Sequence, residues 1–314
     1  MEAKTKADYI SIAENFIRKY VAEPVTPKAI TDALIARAGE YRPDYWRRLR
    51  KGLEVQQREA GYSKAADRIA ATKNPITRTK KGRAAVKPKQ KRVRSVKPED
   101  TERLINEATR QGLHELAAAL YVVAETGARP AELPGITMTD DGVITIVGVK
   151  KIADSDDQKG RGADRTLRYG GDIDNMRAAL TWMRNADVSR LQQQVRTLSR
   201  QVWPTRKWYP SFYSWRHQMG SNLKSSGFTR EQIAYVMGHQ SVESVDKYGN
   251  RRSAKGRVPV VPDESADLSA VRDPAAIRAA AANAEVQQDQ GLDLDLDHYI
   301  APKPSGGGGF EPGM

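Results

Sequence analysis

From the start of the chain to Thr72, apolar residues recur every three or four positions and polar ones fill the gaps, the pattern of one-sided helices packed on a small core. Tyr9, Ile12, Phe16, Ile17 and Tyr20 form the first stripe, and Pro24 closes it. Thr26 followed by Pro27 has the form of a cap and first helical residue, carrying Ile30, Leu34 and Ile35 to a stop at Gly39. A third helix opens at Pro43 and buries Tyr45, Trp46, Leu49 and Leu53. Ser63 caps a fourth through Ala66 and Ile69. The helical period resumes at Pro98, Glu99 and Asp100, an acidic first turn that leads into Leu104, Ile105 and Ala108. An Ala-rich helix over 113–124 follows and ends at Thr126-Gly127. The period then falls to two: 136–138, 143–149 and 166–169 read as short strands, with Asp140-Asp141-Gly142 as a hairpin turn and a polar, glycine-bearing loop before the third strand.

Beyond Gly171 the helical spacing returns in Ile173, Met176, Leu180 and Met183, and again in Leu191, Val195 and Leu198; Trp182 and Trp203 are assigned to packing. Phe212, Trp215, Met219 and Leu223 define another helix, stopped by Gly227. Thr229 with Gln232 three residues on is a capping-box pair for the next. Gly238 ends that helix and aims His239 back toward Arg216, and Ser241 caps a last helix that leaves Tyr248 near its end. The elements predict a mainly α chain with a small antiparallel β-sheet, an α+β fold. Its parts are a helical domain at 1–72, a basic linker at 73–97, a second domain at 98–257 and a tail at 258–314.

Length and charge sharpen this picture. The 314 residues have room for about two domains, and a net charge of +13 with a pI near 9.7 favours a polyanionic partner. The outer face of the third helix shows Arg47, Arg48, Arg50 and Lys51; alone it reads as a solvated face, but in so basic a chain a face that tracks phosphates is the better reading. The linker carries Lys80, Lys81, Arg83, Lys91, Arg92 and Arg94 among its cations and no acid, so like-charge repulsion keeps it extended until it meets an anion. A strap on a DNA backbone explains that placement better than a plain spacer or a nuclear-localisation run. Zero Cys excludes disulfides and thiolate metal sites. No apolar run approaches the roughly 20 residues of a membrane span, and the charged N-terminus lacks a signal-peptide core. An intracellular chemistry with no metal or cofactor fits. Asp293, Asp295 and Asp297 imitate the start of a calcium loop, but Pro304 stands where its Glu belongs.

The candidate chemistry lies in Arg129, set in a tight turn before Pro130, in Arg216 and His239, and in Tyr248 nine residues after that histidine. Singly these are a solvated arginine, a turn histidine and a half-buried aromatic. Brought together, two guanidiniums, an imidazole and a phenol suit attack on a phosphodiester by a tyrosine hydroxyl. Thr126-Gly-Ala-Arg129-Pro-Ala-Glu-Leu133, Arg216-His217, Met237-Gly-His239 and Tyr248 resemble, in order and spacing, the boxes of the tyrosine recombinases, the phage-type integrase family, over about residues 97 to 250.

The resemblance implies a helical core-DNA-binding domain followed by a catalytic domain. It also implies roles. Arg129 and Arg216 would hold the non-bridging oxygens of the scissile phosphate, His239 would donate to the same group, and Tyr248 would attack to give a 3′-phosphotyrosine and a free 5′-hydroxyl. A lysine in the turn between the second and third strands is the family's general acid; Lys150 is the choice here, with Lys151 and Lys159 as alternatives. One box departs from the family: Tyr213 stands where a histidine is usual. A phenol with a pKa near 10 is a poor base, so Tyr213 either donates to the phosphate or packs, and His217 is the other group considered for the Tyr248 proton. The implied partners are double-stranded DNA with an inverted-repeat core site and a homotetramer working through a Holliday junction, with an accessory directionality protein left open. The implied setting is the bacterial cytoplasm, at the nucleoid. A helix over 273–287 either docks on a neighbouring subunit or belongs to a loose tail. The helical domain begins almost at once, which favours a simple recombinase resolving or integrating a mobile element. Two alternatives stay open: a type IB topoisomerase, and a DNA-binding regulator that keeps the fold without the reaction.

Overall fold

The structure is a computed structural model that describes residues 1, 3–86, 91–149 and 162–280. The chain divides into two compact units, Met1–Gln90 and Lys91–Met314.

In the first unit, α1 (Ala3–Tyr20), α2 (Pro27–Ala36), α3 (Pro43–Glu59) and α4 (Ser63–Ala71) enclose a core of Ala13, Phe16, Ile30, Leu34, Trp46, Leu49, Leu53 and Ile69. The Thr26 hydroxyl accepts the Ala29 amide and starts α2. Buried Trp46 satisfies its indole N–H on the Leu34 carbonyl at 3.0 Å. Helices α1 and α3 approach closely because residue 52 is glycine: a Cβ there would lie 2.7 Å from the Tyr9 carbonyl oxygen. Tyr45 falls outside the buried stripe of α3, contrary to expectation; it is 45% exposed and leans on Tyr41. Tyr62 rather than Ser63 occupies the position before α4.

The basic segment is not extended throughout. It forms two short helices, α5 (Pro75–Arg78) and α6 (Lys80–Ala84), because Asn74 accepts the Ile76 amide, Thr79 accepts the Gly82 amide, and Arg83 Nε donates to the Thr77 carbonyl. Local capping outweighs the screened repulsion of like charges on an exposed segment. The unit boundary therefore divides the expected strap: Lys80, Lys81 and Arg83 lie in the first unit, Lys91, Arg92 and Arg94 in the second, and all six are exposed. On α3, Arg47 and Lys51 are exposed and paired with Asp44 and Glu54, Arg48 is exposed, and Arg50 donates to the Thr72 carbonyl.

The second unit contains α7 (Pro98–Arg110), α8 (His114–Thr126), β1 (Ile136–Met138), β2 (Val143–Ile146), β3 (Arg165–Tyr169), α9 (Ile173–Met183), α10 (Val188–Val202), α11 (Phe212–Ser225), α12 (Arg230–Val236) and β4 (Val260–Pro262). The strands pair antiparallel in the order β1-β2-β3-β4. Their inner residues, among them Ile144, Ile146 and Leu167, join Leu116, Leu120 and Val123 of α8 and Trp215 and Met219 of α11 in one core. Strand β4 corrects the expected three-stranded sheet and the domain edge at 257: Val260 is fully buried and Leu167 pairs with Pro262. Three residues ending in proline give too short a pattern to read as a strand, and only the exposed edge of β3 makes them one. Trp182 is another correction, since it stands 54% exposed and stacks on His114 rather than entering the core. Residues 274–280 are helical; the rest of the expected docking helix lies outside the described residues. No described helix is long and apolar enough to cross a membrane.

If β4 is part of the folded unit, Val260→Ala is expected to cost about 2 kcal/mol by removing buried methyl groups, measured as a lowered urea midpoint of the second unit.

Candidate active site

Two left-handed glycine turns, two capped helix starts and one helix face bring the site together. Helix α8 ends on Gly127, whose φ of 63° places it in the left-handed region, and a Cβ there would meet Met219 Cγ at 2.7 Å. The turn that follows presents Arg129, and Pro130 starts a 3-10 helix over Pro130–Gly135. Helix α11 is anchored by buried Phe212, Trp215, Met219 and Leu223, so Arg216 on its inner side is fully buried. The capping box of Thr229 and Gln232 starts α12, and Gly238, at φ 59°, turns the chain so that the His239 amide bonds the Ala234 carbonyl at 2.8 Å. Ser241 caps a 3-10 helix over Val242–Lys247, which delivers Tyr248.

Arg129, Arg216, His239 and Tyr248 meet. Arg216 Nη1 donates to the Gly127 carbonyl at 2.7 Å, and Nη2 donates to the Met237 carbonyl and faces His239 Nε2 at 3.2 Å. Arg129 Nη2 donates to the Gly238 carbonyl at 2.9 Å and Nη1 to Glu132 Oε1 at 2.5 Å. The Tyr248 ring lies between the rings of His239 and His217, with centroids 5.0 and 5.1 Å away, and the Arg216 guanidinium carbon is 5.0 Å from its centroid. Guanidinium only donates, so His239 Nε2 must accept, which places the His239 proton on Nδ1. That nitrogen and Arg216 Nε are buried with no hydrogen-bond partner. Buried donors without acceptors beside a cluster of guanidiniums have the chemistry to receive an anion.

The charges bear on one another. Burial first, then the positive charge of Arg216, Arg129 and Arg165, drives His239 down to about 2, so the imidazole is neutral at working pH. Burial, with Arg129 and Arg165, also lowers Arg216, which nevertheless keeps its charge at neutral pH. Burial alone would raise the Glu132 carboxyl, but Arg165 and then Arg129 override it and hold it at about 2.

Lys150, Lys151 and Lys159 lie outside the described residues. Tyr213 is 40% exposed, and none of its described contacts joins the cluster. His217 accepts the Gly249 amide on Nδ1 at 3.3 Å, which leaves the proton on Nε2. Burial, then Arg94, Arg216, Arg92 and Lys224, depress it further. His217 is therefore a neutral donor that tethers the chain after Tyr248, and in this tautomer it has no lone pair on Nε2 with which to take the tyrosine proton. Arg92 and Arg94 come close enough to act on that ring, which puts two of the expected DNA contacts near the site. Sequence reading missed Glu132 and Arg165. Glu132 carries a signal, standing three residues after Arg129 at capping-box spacing, and its Oε2 accepts the Arg129 amide at 2.8 Å. Arg165 carries none: it is one arginine of several near β3, and only the fold buries it, with Nη2 on Glu132 Oε2 at 2.8 Å.

No protein-family model and no curated sequence matches the chain. Solved structures do. A lambda integrase dimer bound to a COC′ core site superposes with a TM-score of 0.54 at 17% identity, covering 80% of this chain and 73% of that one. A lambda integrase tetramer bound to a Holliday junction gives 0.53 at 16%, covering 82% and 74%. Tn1549 transposon integrase in complex with circular intermediate DNA gives 0.51 at 12%, covering 80% and 90%. All are tyrosine recombinases, and the chain has their fold.

The depressed His239 predicts a pH dependence of stability. Its folded pKa lies below the unfolded value near 6.5, so the unfolded chain binds the proton first; the stabilisation is complete above about pH 6.5 and falls as the pH is lowered, by at most about 1.4 kcal/mol per unit. His239→Gln is expected to flatten this part of the slope between about pH 6.5 and 4, read by urea unfolding at a series of pH values.

Proposed function

We propose that this protein is a site-specific DNA recombinase that cuts and rejoins strands through Tyr248. The phenol oxygen gives its proton to water and forms a bond to the scissile phosphorus while the bond to the 5′-oxygen breaks. The departing oxygen takes a proton to become a 5′-hydroxyl, and the 3′-phosphate stays on the tyrosine. Reversal by a 5′-hydroxyl from a partner strand rejoins the DNA without external energy. Arg129 and Arg216 hold the non-bridging oxygens, and the Nδ1 proton of His239 supplies a further donor as negative charge grows in the transition state. Lys150 is the general acid in this reading, and Tyr213 has no part as a base.

The observation that carries the proposal is the meeting of Tyr248 with buried Arg216 and a neutral His239, whose Nε and Nδ1 donors are buried without a partner, beside buried Arg129. The net charge of +13 and the exposed Arg92 and Arg94 supply the attraction to a DNA backbone. The fold is shared with a lambda integrase tetramer bound to a Holliday junction, which supports a tetramer on two duplexes; in this reading the target is an inverted-repeat core site and the reaction resolves or integrates a mobile element.

Wild-type protein is expected to become covalently attached to a nicked suicide duplex carrying its site, seen as a shifted band in denaturing gels. Tyr248→Phe is expected to bind the same duplex and give no adduct; an adduct retained in that variant would overturn the assignment. Arg129→Ala and Arg216→Ala are each expected to slow adduct formation by about 10² to 10³, measured in single-turnover time courses.

A further inference from the structure

The least expected member of the buried cluster is Arg165. As the first residue of β3 it pairs in register with Ile146, and its side chain is fully enclosed. Gly238 makes room for it, because a Cβ on that residue would lie 2.5 Å from Arg165 Nη1. The glycine that turns His239 into the site thus also admits the third guanidinium. Only Nη2 of that group is bonded, to Glu132 Oε2; Nε and Nη1 are buried without partners. Enclosing a guanidinium that uses a fraction of its donors is costly, and a buried ion pair is often no more stable than an apolar replacement. Stability is thus a weak reason for Arg165 to be there.

Glu132 shows what it does. Oε1 receives Arg129 Nη1, while Oε2 receives both the Arg129 amide and Arg165 Nη2. One carboxylate serves two guanidiniums. Take Arg165 away and the whole Glu132 charge falls on Arg129, in surroundings where charges act strongly because water is absent. We infer that Arg165 is a positioning residue for the phosphate site: it draws part of the Glu132 charge away from Arg129, so that more of the Arg129 charge is left for the scissile phosphate. Resting on the strand-transfer reading above, this adds a residue to the machinery that none of the sequence boxes contains.

The test compares two substrates. On a suicide duplex with an ordinary scissile phosphate, Arg165→Gln is expected to form the Tyr248 adduct about 30-fold more slowly at saturating DNA, with DNA affinity within about threefold of wild type. Arg165→Lys, which keeps a charge beside Glu132, is expected to recover part of the rate. On a duplex with a methylphosphonate at the scissile position, one negative charge is gone, and the deficit of Arg165→Gln relative to wild type is expected to shrink to within about threefold. A merely structural role would lower both rates alike. A deficit under about twofold on the phosphate duplex, or an equal deficit on both duplexes, overturns the inference. Arg165→Met, an apolar residue of similar length, takes the same measurements if the Gln variant does not fold. Absence of adduct from the wild-type protein would instead overturn the strand-transfer reading, so the two failures are distinct.

Discussion

Burying guanidinium groups is the constraint around which the second unit is built. Each loses its hydration and must find acceptors in the interior. The chain supplies them mainly from helix ends. The Gly127 and Met237 carbonyls that receive Arg216 lie at the C-termini of α8 and α12, and the Gly238 carbonyl that receives Arg129 belongs to the turn leaving α12. Terminal carbonyls lack helical donors and carry the negative end of the helix dipole, so they are suited to holding cations. Left-handed glycines at 127 and 238 end the two helices there, and the same residues make room for Met219 and Arg165. Arg216 keeps its Nε buried without a partner even so.

A second set of contacts fixes the chain that carries Tyr248. Gly249 approaches α11 so closely that a Cβ would lie 2.3 Å from the Ser221 amide nitrogen. Its amide bonds His217, its carbonyl receives Lys224, and the Asn250 amide bonds the Ser221 hydroxyl. Farther on, Gln218 donates to the Ser253 carbonyl and Asn222 to that of Arg257, after which the chain enters β4. Gln218 also accepts from Ser95 and Val96 at the start of the unit. Helix α11 therefore holds Arg216 on its buried face while its polar side chains bind the segments that come before and after the site. The position of Tyr248 depends on this stitching rather than on a rigid element of its own, since it follows a 3-10 helix of six residues. Such short elements rely on their tertiary contacts for order.

Much of this was legible in the order of residues. Helical spacing in 98–225 marked the core helices, the Thr229 and Gln232 pair marked a helix start, and Gly238 marked the reversal that turns His239 toward Arg216. These signals are local: a cap, a stop and a stripe each depend on a few neighbouring residues. Tyr45 and Trp182 misled for the complementary reason. Aromatic residues at a stripe's edge have no local mark that decides how far a neighbouring element covers them, and here both stay about half exposed.

What the sequence by itself determined was the set of helices, the turns that end them, and the ordered polar residues those turns present. Tertiary structure alone decided that β4 closes the sheet and that Arg165 shares Glu132 with Arg129, while local caps at Asn74 and Thr79 fold part of a charged linker. The strand pairing and the shared carboxylate join residues far apart in the chain, and the short helices depend on caps whose strength against repulsion no charge count shows. An arginine at a strand's start looks the same in sequence whether water or a buried carboxylate receives it; only the packing of β3 beneath Gly238 makes the choice.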